Sequence, residues 1–321
     1  MTAVDALVVG AGVAGLTTAI SLAEAGLATQ VITAQPPSRT TSAAAGAIWG
    51  PVRCGPPERC LQWSRVGLSV LSELVGEPAA GVRQVSGREM ADEPASPPEW
   101  LDLLPGGARM LPVAELPEGF AAGWSYTAPV VTMPVYLDYL LARYVAAGGT
   151  VSVAEVPSLS SLSAPVVVNC SGIGARDLVP DPHVVPVRGQ VVLVRNPGID
   201  EFYIDHTLHG TDYVYLFPHG DVVLLGGTAE DGAWDLEARP SVAERIVRDC
   251  CLVYPRLRDA EVVEHRVGLR PYRPSVRLEA LDLGGGRVLW HNYGHGGGGV
   301  TLSWGCAREI TEAVLAGAAT A

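Results

Sequence analysis

The chain has no lysine: all 22 of its basic residues are arginines, set against 34 acids, for a formal charge of −12 over 321 residues. That balance argues against nucleic acid and anionic membrane surfaces as partners. The missing lysine stands beside abundant arginine and alanine and reads as coding bias of a GC-rich genome, not as function. No apolar run reaches the roughly 18 residues that a membrane-spanning helix needs. No basic stretch precedes the first apolar run, which is therefore read as a strand and not as a leader. The six cysteines form no C-x-x-C pair and no zinc-type grouping. Free thiols in a cytoplasmic protein are expected; a Cys54–Cys60 bridge is conceivable, but nothing in the sequence calls for it. The seven histidines make no H-E-x-x-H array, so no metal site is expected. There is no internal repeat and no low-complexity linker.

What the chain has in quantity is glycine, 37 residues, with 25 prolines in a composition that is 48% hydrophobic. This is ample for a large core and for more than one lobe. Two glycine-rich elements stand at opposite ends. The first is Leu7-Val8-Val9-Gly10-Ala11-Gly12-Val13-Ala14-Gly15, the second Tyr293-Gly294-His295-Gly296-Gly297-Gly298-Gly299-Val300-Thr301. Each lies between a strand-like and a helix-like run. Two such turns suggest one long cofactor gripped at both ends.

In the first element, Ala6–Val9 reads as a buried parallel strand. Gly10 permits the tight turn, Gly12 lets backbone approach a pyrophosphate, and Gly15 lets the helix pack close. The helix is expected over Val13–Ala25, its N-terminus suited to a diphosphate, with Gly26 as its stop. Thr29–Thr33 follows as a second strand. The motif usually continues to an acid that holds an adenosine ribose. Thr33-Ala34-Gln35-Pro36 stands there instead, so either Gln35 serves as a neutral partner or the ribose is held otherwise.

Arg39–Pro51 is a run of small residues ending in an aromatic. From Arg53 to about Pro129 the chain reads as irregular, apart from a helix near Leu61–Leu74. Thr132–Ala147 reads as a helix that Thr132 could cap. Val166–Cys170 is another buried strand, entering the small-residue turn Ser171-Gly172. Gln190–Val194, Tyr213–Phe217 and Val222–Leu225 read as strands. The expected fold class is α/β: a Rossmann-like nucleotide-binding domain from three segments, with a mixed, β-rich lobe inserted in two pieces.

These pieces together resemble the FAD-dependent D-amino-acid oxidase family, which includes the D-aspartate oxidases. The resemblance rests on Val8–Gly15, Thr40–Trp49, Val187-Arg188-Gly189-Gln190, Leu225-Gly226-Gly227-Thr228, Val267–Glu279 with its Gly-Leu-Arg-Pro-Tyr-Arg-Pro core, and His291 through Cys306. It implies an FAD-binding domain over 1–50, 134–185 and 266–321, and a substrate domain over 51–133 and 186–265. It also implies oxidation of a D-amino acid to an imino acid with O2 as acceptor, then hydrolysis to a 2-oxo acid and ammonia, with hydrogen peroxide released.

The resemblance further implies site roles. Arg270 would grip the substrate carboxylate, Tyr215 would donate a second hydrogen bond to it, and Tyr213 would line the same pocket. The Gly297 carbonyl would accept from the substrate amine. Gly10, Gly12, Val13, Ala14, Gly15, Gln35, Arg39, Thr40, Thr41, Ser42, Ser171 and Gly172 would hold FAD. So would Ala45 and Gly46 near the reactive flavin edge, and Gly296, Gly297, Gly298, Gly299, Val300 and Thr301 at its pyrimidine end, with Arg270 serving both ligands.

Physical chemistry agrees with much of this. A planar guanidinium meets a carboxylate with two parallel hydrogen bonds. Arg270 sits in an apolar run where an unpaired charge is costly. Without the resemblance, an internal ion pair with one of the many acids would be the plainer reading. Tyr213 and Tyr215 alternate and share one face of a strand. A helix starting near Thr301 would stabilise negative charge on a reduced flavin. Hydride transfer from a neutral amine needs no protein base, so no catalytic acid or base is assigned. His295 is read as a loop-packing residue; Arg273 and Arg277 are read as structural. The aspartate branch carries a basic residue just after Gly-Gly-Thr. Ala229 stands there, followed by Glu230 and Asp231, whose charge would repel an anionic side chain.

The expectation is therefore an oxidase of neutral D-amino acids using O2. Rivals are a D-aspartate oxidase or a glycine/sarcosine-type amine oxidase of the same fold, and a non-catalytic flavin-binding protein. The sequence leaves the oligomeric state open, a homodimer included.

Overall fold

The computed structural model describes residues 4–209 and 212–318. Four apolar residues make β1 (Ala6–Val9), buried on both faces as a central parallel strand must be. The glycine turn delivers α1 (Val13–Glu24), and the chain returns as β2 (Thr29–Thr33), within a residue of the expected bounds. Gly10 takes φ +106°, and a Cβ there would lie 2.5 Å from the Cys170 carbonyl oxygen. A Cβ on Gly15 would overlap the Gly10 carbonyl oxygen, so α1 presses on the turn only because Gly15 has none.

The remaining elements are α2 (Pro57–Leu74), β3 (Val82–Ala91), β4 (Arg109–Met110), β5 (Ala122–Val131), α3 (Met133–Ala146), β6 (Thr150–Val153), β7 (Val166–Asn169), α4 (Ala175–Leu178), β8 (Val185–Arg195), β9 (Phe202–His209), β10 (Asp212–Pro218), β11 (Val222–Thr228), β12 (Glu230–Asp231), α5 (Pro240–Val253), β13 (Val262–Gly284), β14 (Arg287–His295) and α6 (Gly299–Ala318). They form one sheet in the order β4-β5-β3-β9-β10-β11-β8-β13-β14-β7-β1-β2-β6, with β12 beside β8. From β14 to β6 the pairings are parallel. Ala6 and Val8 there pack with Leu16, Ile20 and Ile310 of α1 and α6, while Leu7 and Val9 face Leu159 and Val167. In the other half, Leu216, Val223 and Leu225 pack under Ile246 and Cys250 of α5. The opposite face, with Phe202, Phe217 and Leu224, joins the main core.

β13 joins the two halves. It pairs with β8 from Val262 to Tyr272 and with β14 from Tyr272 to Gly284, running unbroken through residue 266, where the sequence sets a domain boundary.

Three expectations need correction. The stretch expected to be irregular holds two ten-residue strands, β3 and β5, paired along their whole length. They hide because their polarity does not alternate: β3 buries Glu89, and Gly87 leaves room for the Phe202 ring, which a Cβ there would overlap. Thr132 does not cap α3; its hydroxyl meets His219 Nδ1 at 3.2 Å. And α6 starts at Gly299, two residues before Thr301.

Candidate active site

The first-turn N–H groups of α1 have no intrahelical partner. One of them, Val13 N–H, donates to Ser42 Oγ at 3.0 Å. A Cβ on Gly12 would lie 3.1 Å from the same oxygen, so the Thr40–Ser42 segment lies over the glycine turn. The Thr41 hydroxyl donates to the Leu269 carbonyl at 3.2 Å, and Ala44 lies 3.1 Å from where a Cβ on Gly268 would be. Gly46 backs onto the Phe217 ring at 3.0 Å by the same measure. Ser171 and Gly172 follow β7, next to Cys170, whose carbonyl bounds Gly10. Gln35 and Arg39 are exposed.

Arg270 stands on β13 opposite Val187. Its guanidinium lies flat on Gly189, whose missing Cβ would fall 2.6 Å from Cζ. Nη1 donates to the Thr228 carbonyl at 3.1 Å, and the Thr228 hydroxyl accepts from Gln190 N–H at 3.0 Å. Tyr215 lies close enough to Arg270 to feel its charge. The Tyr215 ring covers Gly226, where a Cβ would overlap it, and stacks on Phe217 at 5.0 Å. Burial raises the Tyr215 phenol above its ordinary value, against the pull of Arg270, so it stays a donor at neutral pH. Tyr213 lies half-buried on the same face. Among the described residues, no carboxylate lies within ion-pair distance of Arg270, so the plainer reading of an internal ion pair does not hold.

The second glycine element meets this site directly. Gly296 N–H donates to the Pro271 carbonyl at 3.0 Å, one residue from Arg270. Gly296 takes φ +54°, and a Cβ there would overlap the Arg53 carbonyl oxygen. A Cβ on Gly297 would lie 2.9 Å from the Val52 carbonyl oxygen. Among the described residues, no N–H takes the Gly297 carbonyl. Val300 is buried in the first turn of α6. The Thr301 hydroxyl is fully engaged, donating to Gly50 O at 2.9 Å and accepting from Gly50 N–H at 3.0 Å. A continuous line of contacts thus runs from Gly12 through Ser42, Thr41, Leu269 and Arg270 to Gly296. Two glycine turns, each ending at a helix N-terminus and bounding one such rim, fit a dinucleotide with its diphosphate at α1 and its ring system toward α6.

The charge around Ala229 differs from expectation. Glu230 accepts from Arg188 at 2.9 Å and from Arg239 at 2.7 Å, and Asp231 pairs with Arg53 at 3.1 Å. Both acids are compensated, so the repulsion expected of an anionic side chain is largely cancelled. Arg188 is fully buried and also bonds Asp235, Gln190 and the Glu237 carbonyl, which pins the 230–239 segment beside β8. His295 is buried with Nε2 3.0 Å from Asn292 Oδ1, and burial pushes its pKa down to about 4. Arg273 and Arg277 both reach Asp181, at 3.0 and 3.6 Å. No role for Arg53 was legible before the structure. It sits at φ +49°, its guanidinium 5.5 Å from the Tyr272 ring, strapping the segment before α2 to β12 and β13. Gly189 as the bed of Arg270 was equally unforeseen; its only signal was a place in the Val-Arg-Gly-Gln run.

A family model described as FAD dependent oxidoreductase matches residues 5–313. The chain is 49% identical to a protein of Rubrobacter xylanophilus named D-amino-acid oxidase, over 98% of this chain and 96% of that one. It is 45% identical to a D-amino-acid oxidase of Streptomyces coelicolor, over 96% of each. Among solved structures, glycine oxidase from Geobacillus kaustophilus shares the fold, with a TM-score of 0.81 over 98% of this chain and 95% of that one at 21% identity.

Proposed function

The chain belongs to the FAD-dependent oxidoreductase family, and from that premise we propose that it oxidises neutral D-amino acids to 2-oxo acids, ammonia and hydrogen peroxide. One observation carries the proposal. Arg270 is a half-buried cation with no carboxylate partner among the described residues, beside Tyr215, bonded to the Thr228 carbonyl and one residue from the carbonyl that anchors Gly296. A half-buried charge of this kind calls for a counter-ion.

In this reading Arg270 and Tyr215 hold the substrate carboxylate, and the Gly297 carbonyl accepts from its amine. Two fixed substituents on one carbon set the direction of the α-hydrogen, which selects one enantiomer. Bound FAD supplies a two-electron acceptor for that hydride and a route from it to O2. The turn Gly10–Gly15 with Thr40, Thr41 and Ser42 would hold its diphosphate, Ala45 and Gly46 would flank the reactive edge, and Gly296–Thr301 would bound the far end of the ring system. Tyr213 and Arg53 complete the pocket wall. We extend the proposal to the domain division given above, with β13 shared, and to a cytoplasmic location. No described helix is long and apolar enough to cross a membrane, and the six free thiols suit a reducing compartment.

Neutral substrates fit because Ala229 offers no cation and Arg53 is already paired with Asp231. The test is peroxide release and oxygen uptake across matched D- and L-amino acids. Neutral D-amino acids should turn over and their L-forms should not. A yellow, FAD-loaded protein that releases no peroxide from any D-amino acid would instead be a flavin binder without turnover.

A further inference from the structure

Asp231 of β12 and Arg270 of β13 both pair with Val187 of β8, one from each side. Residues paired directly across a sheet point to one face, and alternate residues along a strand share it. Asp231, Val187, Arg270 and Tyr272 therefore stand on the same face, with Asp231 and Arg270 two strand spacings, about 10 Å, apart. The Arg53 guanidinium lies over the Tyr272 ring at 5.5 Å, and its Nη2 donates to both Asp231 oxygens, at 3.1 and 3.3 Å. It thus crosses β8 from β13 to β12, on the Val187 side of Arg270. Tyr215 closes the Gly189 side, its ring over Gly226. Val187 beneath is 2% exposed, while the Arg53 and Asp231 side chains are 37% and 65% exposed, so the pair is the solvent end of the row. The Arg53 backbone reaches the other wall of the same space, its carbonyl against Gly296.

We propose that the Arg53–Asp231 pair is a releasable bar across the mouth of the Arg270 pocket, and that its opening sets how fast carboxylate substrates enter and leave. Little holds the bar closed. Arg53 sits at φ +49°, a region with a steric cost for any residue that carries a Cβ. Residues 50–56 form no helix or strand. An ion pair as exposed as this one adds only a small net stabilisation. Asp231 is fixed by the pairing of β12 with β8, and the next residue, Gly232, donates its N–H to the Pro186 carbonyl at 2.8 Å. Arg53 is therefore the partner that moves. Released, its side chain turns into solvent, while Arg270, which it does not touch, stays on its Gly189 bed. The closed pair is neutral as a whole, so it neither attracts nor repels the substrate carboxylate. It acts on the rates of exchange and leaves affinity to Arg270.

The inference rests on the proposed function for what passes the bar, and the test has two arms so that each can fail alone. The first uses no ligand. Hydrogen exchange at the amides of residues 50–54 is compared between wild-type and Asp231→Ala holoprotein. The substitution lies on another element, yet exchange there should become about fivefold faster, the factor an exposed ion pair supports. Unchanged exchange overturns the bar. In the second arm, benzoate, a carboxylate on an apolar ring, is mixed with holoprotein and followed through the flavin spectrum. Arg53→Ala and Asp231→Ala should each raise the association and dissociation rates by a similar factor. Kd should stay within about twofold, and the double variant should do no more than either single one. Salt raised from about 0.02 M to about 0.5 M should speed dissociation from wild type and not from Asp231→Ala. A raised Kd with unchanged association makes Arg53 a ligand contact and overturns the bar. Absence of benzoate binding counts against the proposed function, and the exchange arm then decides the bar by itself.

Discussion

Arg270 lies on Gly189 with no space between them: a Cβ on that glycine would fall 2.6 Å from both Cζ and Nη2 of the guanidinium. The glycine sits in the middle of a buried strand, where its flexibility has no use. It is there to leave the arginine a flat bed. A side chain at 189 would meet the far end of a flexible side chain, so the cation would move while the strand stayed.

Gly189→Ala should therefore raise KM about ten- to a hundredfold for every substrate, as expected for a displacement of about 1 Å. Tm should change little. Arg270→Ala should also raise KM across all substrates, with a loss of roughly 2–5 kcal/mol and flavin still bound. A Gly189→Ala protein that loses its fold, or keeps its KM, would show that the glycine serves the strand.

Gly15→Ala and Gly26→Ala should differ sharply. The first puts a methyl into the Gly10 carbonyl and should cost most of the stability or abolish FAD binding. The second meets nothing within 4 Å and pays only for its positive φ, roughly 1–2 kcal/mol. Thermal denaturation with and without FAD separates them.

Stability should fall steeply in acid. Burial pushes His219, His291 and His295 down to about 4, with nearby arginines adding for the first two. Unfolded, each takes its proton near 6.5, so between about pH 6.5 and 4 the unfolded chain binds more protons and stability drops with pH, by up to about 1.4 kcal/mol per pH unit for each histidine. His206 has the opposite sign. Its hydrogen bond to Glu89, at 2.6 Å, raises its pKa against the effect of burial. Its contribution is complete below the unfolded value and lost as pH rises through the folded one. Denaturant unfolding across pH 4.5–9 should show both limbs, and His206→Gln should flatten only the alkaline one.

Neutral D-amino acids should exceed D-aspartate at least about tenfold in kcat/KM, since a buried carboxylate left without a partner costs on the order of 1–3 kcal/mol. Ala229→Arg should narrow the gap. Arg53→Ala should leave it in place, because Arg53 is committed to Asp231. A fall in D-aspartate activity alone in that variant would make Arg53 the side-chain ligand.

Sequence by itself determined the elements that depend on near neighbours. The spacing of Gly10, Gly12 and Gly15 fixed a turn, because a backbone without Cβ and a helix two residues on allow little else. The apolar runs at Ala6–Val9 and Val166–Asn169 fixed the parallel strands. Only the tertiary structure decided which charges meet. Glu230 and Asp231, read in sequence as free acids beside the pocket, are neutralised by Arg188, Arg239 and Arg53, which lie between 9 and 178 residues away. β3 was illegible because Glu89, which breaks its polarity pattern, finds Trp124, Tyr126 and His206 only once β3, β5 and β9 are side by side. Arg270 shows the same limit from the other side. Its position in a strand was readable, but its lack of a carboxylate partner among the described residues is a property of all its neighbours in space, and no local pattern encodes it.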